Sequence, residues 1–122
     1  EGLADLASRF VEVDDIPWKP TPCDGIEMKV LMEDEETGLM TAMFKWAPGS
    51  KLTFHEHVDL EQTFVLEGSL VDDEGTVSAG NYVWRPAGSK HDAWAPNGAL
   101  ILSIFLKPNK FLGGENDGIR LR

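Results

Sequence analysis

The sequence predicts an all-β domain, an antiparallel sandwich or barrel, on three observations. Short stretches mix apolar and polar residues in near-alternation, as half-buried strands do. Turn clusters of Gly, Pro, Asn and Asp interrupt these stretches about every 8–12 residues. No internal repeat, low-complexity tract or composition shift divides the 122 residues, so one core is expected.

The elements follow in order. Residues 3–10 suit one short helix, and Ile16 to Asp24, with Pro17, Pro20 and Pro22, reads as an extended lead-in. Ile26–Met32 and Leu39–Trp46 are the first strand pair, joined by the acidic turn Glu33–Gly38 and closed by Pro48-Gly49. Further strands are expected at Leu52–His57, Gln62–Leu66, Ser69–Val71, Thr76–Val77, Tyr82–Arg85, His91–Trp94 and Ala99–Lys107. The run Ala99–Leu106 is almost wholly apolar, the pattern of a strand covered on both faces. The expected organisation is one domain over 1–122, with a lead-in at 1–25, a core at 26–106 and a tail at 107–122.

Composition narrows the function classes. The chain is 42% hydrophobic and 26% charged, with four Trp and six Phe, which is globular rather than disordered. Lys and Arg number 11 against 21 Asp and Glu, a net charge of −10 that repels phosphate backbones and argues against nucleic-acid binding. No apolar run approaches the roughly 18 residues a membrane span needs, and no signal-peptide pattern opens the chain. It begins on Glu1, so a trimmed N-terminus is expected. A single cysteine, Cys23, rules out an internal disulfide and fits a cytoplasmic protein, with Cys23 as a small residue in a Pro-rich turn.

All three histidines fall into one spaced pattern. Gly49 to Gly68 reads G-x5-H-x-H-x3-E-x6-G, with His55, His57 and Glu61; Gly80 to His91 reads G-x5-P-x-G-x2-H. His55 and His57 are two apart, so on a strand they share a face and can reach one cation about 2.0–2.1 Å from each nitrogen. Glu61 follows after the Val58–Leu60 turn, where a neighbouring strand would bring its carboxylate to the same point. His91 must arrive on a third strand. Gly49, Gly68, Gly80 and Gly88 allow the tight turns between them. Imidazole with one carboxylate suits Fe(II), Zn, Mn, Ni or Cu. A six-coordinate ion on four protein ligands would keep two positions for water, substrate or dioxygen, whereas a closed tetrahedral zinc would be structural or sensory.

These two motifs resemble those of the cupin superfamily, small double-stranded β-helix (jelly-roll) barrels with a metal at the centre. The resemblance covers about residues 26–106. It departs at the end of the second motif, where an Asn often stands four residues after the His and this chain has Ala95. Carried over, the metal ligands fall on His55, His57, Glu61 and His91. The Trp18 lead-in and the run Gly38–Gly49 make the chain most similar to ChrR-like cupins, which include the zinc-binding domain of an anti-sigma factor. Similar small cupins are dioxygenases that cleave diketones or hydroxylated acetophenones, some holding the metal on three histidines only.

The resemblance therefore implies one divalent transition metal per chain, Fe(II) or Zn ahead of Mn, Ni and Cu, a small-molecule substrate and a homodimer. Its leading activity is an Fe(II) dioxygenase on a small oxygen-rich or diketone-like compound, with Glu61 on the metal or taking a proton. The rival is a non-catalytic zinc-binding sensor that acts through a protein partner. Strand parity adds that Thr63 and Val65 share the face of Glu61, and Ala93 and Ala95 that of His91, leaving space beside the metal. Trp46, Phe54, Phe64, Tyr82, Trp84 and Trp94 flank the motifs as lumen walls or as core and dimer faces. Arg85 is read either as a clamp for a carboxylate or as part of a surface ion pair.

Overall fold

The computed structural model describes residues 7–56, 59–106 and 110–111, with 53–56, 90, 91, 110 and 111 described as backbone. Ten strands form one curled antiparallel sheet: β1 Lys19–Pro20, β2 Ile26–Glu33, β3 Met40–Trp46, β4 Ser50–Glu56, β5 Glu61–Val71, β6 Thr76–Ser78, β7 Tyr82–Arg85, β8 Lys90–Ala95, β9 Ala99–Phe105 and β10 Lys110–Phe111. Their order is β1-β2-β3-β9-β5-β8-β4-β10, with β6 and β7 paired to β5. This is the expected jelly-roll, all-β architecture.

β5 belongs to both halves of the jelly roll. Its first part pairs with β9 and β7, from Glu61 opposite Phe105 and Arg85 to Gly68 opposite Ala99. Its last part, Ser69–Val71, pairs with β6, and Val71 meets Trp94 of β8. The sequence reading split this strand in two at Gly68. The chain instead stays in the ladder, because an extra residue at Leu66 makes a bulge and Gly68 adopts φ +75°. Gly68 is also where two backbones meet: a Cβ there would lie 2.0 Å from the carbonyl oxygen of Gly98. Gly49, Gly80 and Gly88 have positive φ as well, in keeping with their expected turns.

The core lies between the halves. From one come Met28, Met40, Phe44, Val65, Ile101 and Phe105, with Phe44 and Phe105 edge-on at 6.0 Å; from the other come Leu70, Val77, Ala93 and Ala95. β3 alternates buried and outward residues as its pattern predicts. β9 does not behave as a strand covered on both faces. Ala99, Ile101, Ser103 and Phe105 are buried, while Leu100, Leu102 and Ile104 stay half-exposed on the outer side. The apolar run thus has an inner half that packs and an outer half that the described residues leave partly exposed.

Both ends of the chain differ from expectation. In the described part of the expected 3–10 helix, residues 7–10 are not helical; residues 3–6 lie outside the described residues. Phe10 is 91% exposed, so a helix there has no surface on which to bury an apolar face, and short helices need that burial. A single 3-10 turn, Val13–Asp15, forms instead. The lead-in then crosses the outside of β2 and β3. The amino groups of Lys29 (4.7 Å) and Lys45 (4.8 Å) each lie over the Trp18 ring, and buried Lys29 donates to the Val13 carbonyl at 2.9 Å. At the far end, Lys110 and Phe111 pair with Glu56 and His55 of β4, a strand the reading of a simple tail did not anticipate. No helix among the described residues is long and apolar enough to cross a membrane.

Candidate metal centre

The ladder between β4 and β8 sets two of the three histidine positions against each other. Leu52 is opposite Ala93, and His55 is opposite His91. Between these pairs β4 advances three residues while β8 advances two, so β4 carries a bulge. The extra residue changes the parity of β4. It puts the His55 and His91 positions on the sheet face of Leu52 and Ala93, whose side chains pack in the core. Directly opposed Cα atoms on an antiparallel ladder stand about 4.5–5.5 Å apart, a spacing from which two imidazoles can share an ion. His91 is remote in sequence, and its backbone position on β8 is directly opposite that of His55. His57 lies outside the described residues.

Glu61 comes from elsewhere than the sequence reading supposed. It opens β5, whose neighbours at that point are β7 and β9, so β5 there is not a neighbour of β4. Glu61 nevertheless faces the lumen. It lines a small, partly open pocket of about 30 Å³ together with Leu52 of β4, Trp46, Phe44, Ser103 and Phe105. Leu52 is three residues before His55, and this shared wall links Glu61 to the histidine strand. Among the described side chains, which exclude those of His55, His57 and His91, no three His, Cys, Asp or Glu gather into a metal-holding group. The donor types still suit a divalent transition ion: two opposed histidine positions and a half-buried carboxylate on the lumen wall.

A buried hydroxyl pair orients that carboxylate. Thr63 Oγ1 donates to Glu61 Oε2 at 3.0 Å and lies 2.8 Å from Ser103 Oγ. A hydroxyl has one proton, so with Thr63 committed to Glu61 it is Ser103 that donates to Thr63. Both residues are buried, at 4% and 0% exposure, so the chain of bonds is shielded from water. Parity had placed Thr63 on the face of Glu61. Ser103 was missed, although its signal was legible: it is the one polar residue within the apolar run Ala99–Leu106.

A family profile described as the ChrR Cupin-like domain matches residues 7–110. The chain belongs to this cupin family. Among solved structures the cupin is similar to an acetylacetone dioxygenase from Acinetobacter johnsonii, at 25% identity over 94% of this chain and 85% of that one, with a TM-score of 0.83. It is also similar to a candidate acetylacetone dioxygenase from Methylibium petroleiphilum, at 26% identity over 97% and 90%, TM-score 0.85. A third likeness is to a chain in the complex of Rhodobacter sphaeroides SigE with the anti-sigma ChrR, at 21% identity over 77% of this chain and 51% of that one, TM-score 0.67; it shows the fold alone. Comparison with curated proteins found no match.

The remaining candidates sort by location in the cupin. Ala93 and Ala95 are buried and Trp94 is 42% exposed, as parity required. Arg85 pairs with Asp72 at 2.8 Å and with exposed Glu74 at 3.5 Å; the Arg85 and Asp72 side chains are only 14% and 3% exposed, so the closer pair is largely buried rather than the surface pair that was one of the two expectations. Of the flanking aromatics, Trp46 is a lumen wall, whereas Phe64, Tyr82, Trp84 and Trp94 are exposed; the side chain of Phe54 lies outside the description.

Proposed function

We propose that the chain is a mononuclear metal-dependent dioxygenase acting on a small oxygen-rich or diketone-like compound. The observation that carries this reading is the opposition of His55 and His91 on the core face of β4 and β8, one bulge away from a lumen that Glu61 lines. Similarity to acetylacetone dioxygenases over nearly the whole chain supports the substrate class. His55, His57 and His91 would hold one divalent ion, Fe(II) in the active form, with Glu61 on it or beside it. The bound metal would supply positive charge for an enolate and a route for electrons to dioxygen. Glu61 would accept the proton from the carbon between two carbonyls, its carboxylate kept in orientation by Thr63 Oγ1. The apolar lumen walls would exclude water from that transfer.

A zinc-binding module that acts through a protein partner is the second reading, favoured by the ChrR-type family match. Metal analysis of anaerobically purified protein, followed by an oxygen electrode with acetylacetone, separates the two. The dioxygenase reading expects about one transition ion per chain and oxygen uptake by the Fe(II) form that depends on the diketone. Tightly held zinc, with no uptake after exchange to Fe(II), would sink it and promote the partner-binding module.

The outer face of the sheet supports a second copy of the chain as partner. Phe64 is in register with Tyr82 and Leu102, and Gln62 with Trp84 and Ile104, so these side chains form one continuous patch without a charged residue. Phe64, Tyr82 and Trp84 are 40–59% exposed. In a chain of net charge −10, a charge-free patch is the part of the surface two copies can bring together at least electrostatic cost. Sedimentation should give twice the 13.5 kDa chain mass, and Trp84→Glu should return it to one while the far-ultraviolet spectrum is kept. A wild-type monomer at micromolar concentration would remove the homodimer.

A further inference from the structure

One row of side chains crosses the outer face from β2 to β7. Lys29 is in register with Met43, Met43 with Leu102, Leu102 with Phe64 and Phe64 with Tyr82. Four strand spacings separate its ends, about 19 Å. The lead-in is fixed to the first end of this row. The Val13 carbonyl accepts from Lys29, the Trp18 ring has the amino groups of Lys29 and Lys45 over it, and Lys19 pairs opposite Met28. Upstream of that anchor the chain turns apolar and exposed. Residues 8–12 form neither helix nor strand, and Phe10 and Val11 are 91% and 44% exposed.

The other end of the row is the charge-free patch of Phe64, Tyr82, Trp84, Leu102 and Ile104. Its three aromatics, at 40–59% exposure, present about 300 Å² between them, and half-buried Leu102 and Ile104 add less. A stable interface takes about 800 Å² from each partner, so the patch alone is too small. Phe10 adds about 180 Å² of the same apolar character.

The lead-in also decides how two such patches can face each other. A closed pair of identical chains has a two-fold axis, and for face-to-face sheets the axis lies in the plane of contact. An axis across the strands would set β2 and β3 of one copy over β2 and β3 of the other. The two lead-ins would then collide before the patches touched. An axis along the strands reverses the order, so β7 of each copy comes beside the lead-in of its partner. Tyr82 then stands at the level of the Lys29 row, where the anchored segment begins.

We propose that residues 7–12 are a dimerisation arm exchanged between two copies of the chain, with Phe10 of each packed against the partner's Tyr82 and Trp84. This rests on the homodimer proposed above and adds to it the segment that completes the interface and the direction in which the copies face.

The test uses the full chain. In sedimentation, Phe10→Ser should raise the dimer dissociation constant about 100-fold, because two equivalent contacts are lost, with the far-ultraviolet spectrum unchanged. The wild type gives the geometry directly. In a mixture of chains labelled with carbon-13 at tyrosine and chains labelled at phenylalanine, a filtered NOE should connect Tyr82, the one tyrosine of the sequence, to the partner's Phe10. The Phe10 signal is assigned by its loss in Phe10→Leu. A dimer whose dissociation is unchanged in Phe10→Ser, or one without that NOE, overturns the arm and leaves the homodimer intact. A wild-type monomer at micromolar concentration overturns both.

Discussion

His91→Ala is expected to abolish diketone-dependent oxygen uptake, by at least 100-fold, and to lower metal affinity by a similar factor, with the fold retained. The argument is geometric. His91 is the only histidine on β8 and is in register with His55, so no neighbouring side chain on that strand can take over its nitrogen. Alanine is also a tolerated residue on this face, since Ala93 and Ala95 are buried on the same strand. Metal stoichiometry by elemental analysis and affinity by competition with a chelator check the result. One ion per chain at unchanged affinity would show that the site has been wrongly placed.

Of the alanine substitutions at Gly25, Gly49, Gly68, Gly75, Gly80, Gly88 and Gly98, Gly68→Ala should be the most destabilising. Two costs coincide there. Alanine at φ +75° costs on the order of 1–3 kcal/mol, and its Cβ would fall 2.0 Å from the backbone oxygen of Gly98, so β5 and β9 must part locally. We expect a total loss of about 3 kcal/mol or more, measured by urea denaturation, against a typical domain stability of about 5–15 kcal/mol. Gly80→Ala is the internal control. It shares the positive φ, +85°, but meets nothing within 4 Å, so it should lose only the conformational part. Equal losses for the two variants would mean that the β5–β9 approach carries no weight.

Much of this fold was legible because it rests on alternation and turns, both local signals. β3 and β7 lie where the pattern puts them, and the parity of Thr63, Val65, Ala93 and Ala95 holds. What failed was non-local. Gly68 reads as a stop in any sequence window, and only the close approach of Gly98 reveals it as a bend inside one long strand. The apolar run of β9 announces burial without saying that only one of its faces packs in the core. In the candidate site, residue types and spacing marked His55 and His91, but the bulge that aligns them has no signature in the motif. Glu61 was assigned to a strand beside β4 because it follows closely in sequence; the chain instead crosses to the other half of the roll before β5 begins. Ser103 gains meaning only from Thr63, its register partner on the neighbouring strand β5.

Because β5 runs through both halves, the roll behaves like a book with a hydrogen-bonded spine on that side. On the other side β2 and β4 touch without any ladder between them among the described residues. Among the described residues the two halves are thus bound by a backbone ladder on one side of the domain and meet without one on the other.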